Sequence, residues 1–322
     1  MAFYSFTSSD SGAPTLSGTN GDGITLLDWV LVTKGGWTKV YSGTNKGVYQ
    51  APSGNQFVLR AVHDSAVSGS AQRMTVRGAE SASDVDTLTD PFPTVALEAN
   101  SEAAWTMSTA SSATTRSYFG VVTSTGVWLA VLANGDNACF VGWFGDLEPT
   151  ISTDAYCTAI TVNGQAGNSS SYFFSMPSAY PATTQPRMYW ARDVNGTAKS
   201  TYGGPGRQNA QTAFGDLTAT HSGAVAAPHP KDSKYHRRRV HTLCYGGNSS
   251  TSGTYAMPVR AWWPQLWDPM HSQSLITSGD VFSDTAYNAS ATFKLMSSNA
   301  SAAATGSFAI LETSDTWNAP SD

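Results

Sequence analysis

The sequence predicts an all-β fold of two or more β-sandwich-like units with long loops, and three observations carry that expectation. Apolar and polar residues alternate in short runs that stop at Gly, Ser, Asn or Pro. Turn signals stand between the runs, notably Ser124-Thr125-Gly126 and Asn134-Gly135-Asp136. No segment has the periodicity of a helix longer than about three turns.

Taken in order, residues 1–23 are rich in Ser, Gly, Thr and Asp with few apolar anchors, and read as an extended N-terminal arm ordered against a partner. Residues 24–32, ITLLDWVLV, are the best short-helix candidate, although their near-continuous apolar character also suits a buried strand. The first β unit, 24–94, runs on through GWTKVYSGTNKGVYQAPSGNQFVLRAVHD and MTVRGAESASDVDTLTDPFPT, where Pro91-Phe92-Pro93 breaks it. The second unit, 95–235, begins with an Ala/Ser/Thr-rich connector containing one strand around Trp105. Its centre, residues 116–147, holds two apolar strands around Ser124-Thr125-Gly126, then a hairpin at Asn134-Gly135. Residues 157–162 add a strand. Residues 163–235 carry strand candidates at SSSYFFSMPS and RMYWARD inside long Ser/Gly/Pro-rich loops. The C-terminal block, 236–322, packs with the preceding unit and has strands at RRVHTLCY, MPVRAWW, TFKLMS and GSFAILET.

Composition narrows the function classes. Of 322 residues, 40% are hydrophobic, enough for a real core, while only 13% are charged. That charge density is about half the usual ~25%, and suits a protein packed against neighbours or outside a cell. The 10 Trp, 13 Tyr and 13 Phe give thin β structure large packing area. A net charge of -5 weighs against nucleic-acid binding, which needs concentrated Lys and Arg. Cys139, Cys157 and Cys244 match neither a disulfide framework nor a zinc pattern, and read as buried thiols of a protein folded in a reducing cytoplasm. The N-terminus does not read as a secretory signal. No run approaches the ~20 apolar residues of a membrane span.

Four places invite a chemical reading. His221, His229, His236 and His241 with Asp232 suggest a metal site, but their spacing fits no ligand pattern and arginines interrupt them, so a solvated or interface loop is preferred. The basic run 231–239, ending in Arg237, Arg238 and Arg239, reads either as a solvated strand end or as a contact with an acidic patch on a neighbouring subunit. Asp84 and Asp86, with Glu80 before them, resemble a carboxylate pair or calcium site, yet Ser-Asp and Asp-Thr are also ordinary turn chemistry, the preferred reading. Trp262, Trp263 and Trp267 flank Pro264: exposed they would stack on sugars, and buried they anchor a core or a subunit interface, the preferred reading. No Gly-x-Ser-x-Gly, phosphate loop or His-Glu-x-x-His is present, and Gly203-Gly204-Pro205-Gly206 lacks the flanking strand and helix of a nucleotide site. No catalytic residue, metal or cofactor is assigned.

A series of short motifs stands in order along the chain: Gly36-Trp37-Thr38-Lys39, Ser42-Gly43-Thr44-Asn45-Lys46, the strand through Phe57, Leu59 and Arg60, Arg77-Gly78-Ala79-Glu80, Ser83-Asp84-Val85-Asp86 and Pro91-Phe92-Pro93. Further on stand Pro264-Gln265-Leu266-Trp267 with Pro269 and His271, then Gly279-Asp280-Val281-Phe282-Ser283, and finally Leu311-Glu312-Thr313-Ser314 with Thr316-Trp317. This order resembles an uncharacterised group of tailed-bacteriophage virion proteins, over residues 13–94, 116–147 and 258–317; residues 163–235 depart from it. The resemblance implies a non-enzymatic structural protein of the virion, assembled in the host bacterial cytoplasm. It would contact other capsid, collar or tail subunits and form a homo-oligomer. Head decoration, cement or collar is favoured over tail or baseplate. The alternatives are a carbohydrate- or receptor-binding module of a phage tail and, behind it, a polysaccharide-degrading enzyme.

Overall fold

The structure is a computed structural model that describes residues 3–64, 72–92, 104–108, 114–132, 140–161, 189–192, 196, 237–243, 259–269, 279–283, 288–297 and 308–317. In chain order, β1 (Phe3–Thr7) precedes a helical segment, α1 (Asp22–Leu27), which widens into a π-helical stretch at Asp28–Lys34. Next come β2 (Thr38–Gly43), β3 (Lys46–Gln50), β4 (Val58–Val62) and β5 (Gln72–Ala79), then a small hairpin of β6 (Ser81–Ala82) and β7 (Leu88–Thr89). β8 (Ala104–Ser108), β9 (Tyr118–Thr123), β10 (Gly126–Val131), β11 (Phe140–Asp146), β12 (Glu148–Pro149), β13 (Thr158–Thr161) and β14 (Tyr189–Ala191) follow. The chain closes with β15 (Arg237–Leu243), β16 (Val259–Pro269), β17 (Val281–Ser283), β18 (Thr292–Ser297) and β19 (Phe308–Glu312). The fold is all-β, as the alternation of residue types predicts, and strands stand at Trp105, RMYWARD, RRVHTLCY, MPVRAWW, TFKLMS and GSFAILET. The segment SSSYFFSMPS and the turn at Asn134 lie outside the described residues.

Among the described residues the strands form three large antiparallel sheets and the small hairpin. The middle sheet has the order β1-β9-β10-β11-β13-β14 and is covered on both faces. Along β10, Val127, Leu129 and Val131 point into one core, and Trp128 and Ala130 into the other. Every residue of β9 and β10 is buried as a result. A strand covered on both sides has no reason to alternate with polar residues, which is why YFGVVT and GVWLAV read as continuous apolar runs.

One face of this sheet meets the sheet β2-β3-β4-β5-β8 and the helical segment. Leu26, Leu27, Val30 and Leu31 are the helical contribution, and Tyr49, Leu59, Met74, Val76 and Trp105 the sheet's. Trp105 lies against Gly142 so closely that an added Cβ would sit 2.5 Å from the indole ring. The other face meets the third sheet, β12-β16-β19-β18-β17 with β15 on the far edge of β16. Beyond it, Trp267, Phe293, Leu295 and Ile310 make an outer cluster with Phe282 and Trp317.

Within β16, Ala261 and Trp263 face the middle sheet, but so does Leu266. The parity changes because Gln265 takes a left-handed backbone (φ 58°) directly after Pro264, a bulge that turns Trp267 to the outer cluster.

Residues 3–16 correct the expectation of an extended arm. β1 pairs with β9 from Phe3↔Thr123 to Thr7↔Phe119, and Leu16 bridges Arg116. Phe6 and Leu16 are buried, and Tyr118 donates its hydroxyl to the Pro14 carbonyl. Few anchors suffice here because each is large or fully enclosed. The helical reading of residues 24–32 holds. Its π-helical turn is closed by the Gly35 amide bonding the Val30 carbonyl.

His63 sets the entry to that helix. Its ring is buried, and Nδ1 accepts the Gly23 amide at 2.9 Å. Burial holds the imidazole below its ordinary pKa, against the opposing pull of Asp22 and Asp64. The unfolded chain therefore binds a proton more readily than the folded one. Stability is fully present above the unfolded value near 6.5 and falls as pH drops toward the depressed folded value, by roughly 1.4 kcal/mol per pH unit in that window. Urea unfolding at pH 7.5 and 5.5 measures this slope, and His63→Gln is expected to remove it.

Candidate functional site: a polar seam across the sheet stack

The carboxylates singled out in the sequence are turn residues. Asp84 Oδ1 accepts the amides of Asp86 and Thr87 at 2.7 and 2.8 Å, closing the tip of the β6–β7 hairpin. Hydrogen bonds from Asp86 and Thr87 hold its carboxyl below the usual range. Asp86 is clamped by Lys46 at 2.9 Å and Arg60 at 2.5 Å, and those bonds lower its pKa as well. Arg60 Nε also reaches the Val85 carbonyl. Both carboxylates are ionised and engaged, and they hold the hairpin over Val48, Val58 and Ala79.

The tryptophans divide. Trp263 and Trp267 are 0% and 5% exposed, buried in this chain's own cores, so neither ring is open to a sugar or to a partner. Of the core-or-interface reading, the core half describes these two rings; the large apolar area that marks an interface anchor also serves a sheet-to-sheet core. Trp262 is half-buried, opposite Glu148 on β12 and His241 on β15. Arg237, Arg238 and Arg239 lie on β15, in register with Pro269, Asp268 and Trp267. The backbone of His241 lies on the same strand. His221, His229, His236, Asp232 and Gly203–Gly206 lie outside the described residues, as do Cys139 and Cys244. Cys157 is buried as expected, and burial pushes its thiol well above the ordinary value, so it is not a reactive thiolate. Among the described residues no three His, Cys, Asp or Glu side chains are placed to hold a metal ion, and no helix is long and apolar enough to cross a membrane.

What the sequence does not reveal is a chain of charge running across the stack. Arg260 on β16 donates Nε and Nη2 to the two oxygens of Asp154, at 2.8 and 3.2 Å, with both partners buried. Its remaining donors reach the Tyr156 and Arg192 carbonyls. Arg192, at the end of β14, pairs in turn with Glu80 and reaches the Asp90 carbonyl beside the β6–β7 hairpin. Two ion pairs, linked by the Arg260 bond to the Arg192 carbonyl, thus join the third sheet, the middle sheet and the first unit.

A cavity of about 320 Å³ opens beside these pairs, lined by Asn55, Asp146, Ser152, Thr153, Asp154 and Cys157 with neighbouring apolar groups. Asp146, at the end of β11, accepts the Asn55 amide at 2.7 Å and the Thr158 hydroxyl at 2.6 Å. Asn55 Nδ2 donates to that same hydroxyl at 2.9 Å. Gly54 permits the approach: its backbone is left-handed (φ +74°), and a Cβ there would meet Asp146 Oδ2 at 2.0 Å. Burial raises the Asp146 carboxyl, against the bonds from Thr158 and Asn55.

The motifs of the resemblance also meet in space. Lys46, Arg60 and Asp86, from separate motifs, share one clamp. Gly78 pairs with Phe92, whose ring covers it. Trp37 Nε1 donates to the Thr123 carbonyl at 2.8 Å, tying the first unit to the middle sheet. Trp267 Nε1 donates to Glu312 at 2.8 Å, and Trp317 packs edge-on against Trp267 while its Nε1 reaches Glu148.

No protein-family model and no curated protein matches this chain. The reading of its role therefore rests on these residues and their contacts.

Proposed function

We propose that this chain is a structural protein of a tailed-bacteriophage virion, assembling through contacts with other virion subunits and with copies of itself. Head decoration, cement or collar is the favoured position, ahead of tail or baseplate. The observation that carries the reading is the role of the motif residues just described. The residues behind the resemblance to virion proteins join sheets and hairpins. Their work is to join three layers of sheet in a charge-poor, aromatic-rich chain. Few charges limit electrostatic repulsion between copies, and the proposed contacts run through the basic strand β15.

Mass spectrometry of purified particles from the encoding phage tests this. The chain is expected in the particles in multiple copies, and its absence overturns the proposal. Replacing Arg237, Arg238 and Arg239 together by Ala is expected to cut incorporation several-fold, and unchanged incorporation removes the basic strand from the interface.

A further inference from the structure

We infer that the cavity beside Asp146 is a socket for a cationic side chain, an Arg guanidinium or Lys ammonium, presented by a neighbouring subunit. The neighbour's identity as a subunit rests on the proposed assembly role, whereas the socket's chemistry stands on its own geometry. Of the two aspartates lining it, Asp154 already holds the forked guanidinium of Arg260. Asp146 is bonded by a backbone amide and a hydroxyl, both neutral, and among the described residues no Lys or Arg pairs with it. A partly buried carboxylate without a countercharge is costly, and a cation entering the cavity relieves that cost.

The rest of the lining suits such a guest. Ser152 and Thr153 are exposed at the rim and supply hydroxyl oxygens, and about 320 Å³ accommodates the end of an Arg or Lys side chain. Arg matches a carboxylate with paired donors, which favours it over Lys. The socket is also rigid. Gly54 holds the Asn55 amide on Asp146, and the Arg260–Asp154 pair fixes the opposite wall. Burial keeps the Asp146 carboxyl above the ordinary range, so acid is expected to close the socket to cations earlier than it would for an exposed aspartate.

Methylguanidinium titrated into the isolated protein, followed by amide NMR shifts, tests the socket without any particle. Saturable shifts are expected at Asn55 and at residues 146–157, weakening with salt and on acidification. Asp146→Asn is expected to weaken the response roughly tenfold, the loss of one charged hydrogen-bond acceptor. Because that change also touches the Asn55 and Thr158 bonds, Ala155→Arg serves as a second variant: it leaves Asp146 in place, supplies a guanidinium from within the chain, and is expected to abolish the response. Absence of shifts, a response in both variants as strong as in the unchanged protein, or a stronger response to glucose or to calcium overturns the socket. Failure here leaves the assembly role standing. Conversely, a working socket in a chain absent from particles would overturn the assembly role alone.

Discussion

Replacing Trp128 by alanine is expected to lower stability by about 3–5 kcal/mol, the range for emptying a large aromatic site in a core. Trp128 is 0% exposed and stands on the face of the middle sheet that meets β16. Its ring lies 4.7 Å from Trp143 and 5.8 Å from Trp263, centre to centre, so three indoles fill the gap between two sheets. Its Nε1 donates to the Pro264 carbonyl at 2.8 Å, at the bulge that redirects β16. Alanine leaves both a cavity and an unmatched carbonyl. Trp128→Phe retains most of the packing and loses the bond, and is expected to cost about 1–3 kcal/mol. Urea unfolding midpoints at pH 7.5 measure both. A loss below 1 kcal/mol for alanine would mean that the sheets do not depend on this contact.

Arg260→Ala is expected to cost a similar amount, about 3–5 kcal/mol, for a different reason. The change strips the cation from Asp154, leaving a carboxylate that is 8% exposed, and it frees the Tyr156 and Arg192 carbonyls. The damage is mostly the penalty on what remains. The double variant Arg260→Met/Asp154→Leu, which removes both charges and keeps apolar volume, is therefore expected to recover most of the loss. A double variant as unstable as the sum of the two single ones would refute this account of the pair.

The two residues differ in how visible they are in the sequence. Trp128 sits in a run whose apolar character announces a buried strand, and the Ser124-Thr125-Gly126 turn before it marks the hairpin. Nothing local marks Arg260 as buried, because its partner is 106 residues away. The same holds for Asp146, whose neighbour Asn55 comes from the turn between β3 and β4. Asp84 shows the reverse. Its turn role is legible because an aspartate bonding amides two and three residues ahead is local chemistry, whereas the clamp of Asp86 by Lys46 and Arg60 comes from distant strands. The N-terminal segment misled because its apolar residues gather in the short run at 3–6, with Leu16 standing apart in a Ser/Gly/Thr/Asp-rich stretch, too few to mark a strand by alternation.

By itself, then, the sequence determined the all-β class, the position of most strands, a short-helix candidate at residues 24–32 and the turn chemistry of the acidic hairpin. These depend on neighbours within a few residues, where backbone preference and side-chain alternation act directly. Only the tertiary structure decided that the middle sheet is covered on both faces, that β1 belongs to it, that Trp263 and Trp267 are core residues, and that the Arg260–Asp154 and Arg192–Glu80 pairs are linked beside the Asp146 cavity. Those outcomes depend on which faces meet. Burial and charge pairing arise between segments brought together from across the chain, and no local pattern encodes the partner.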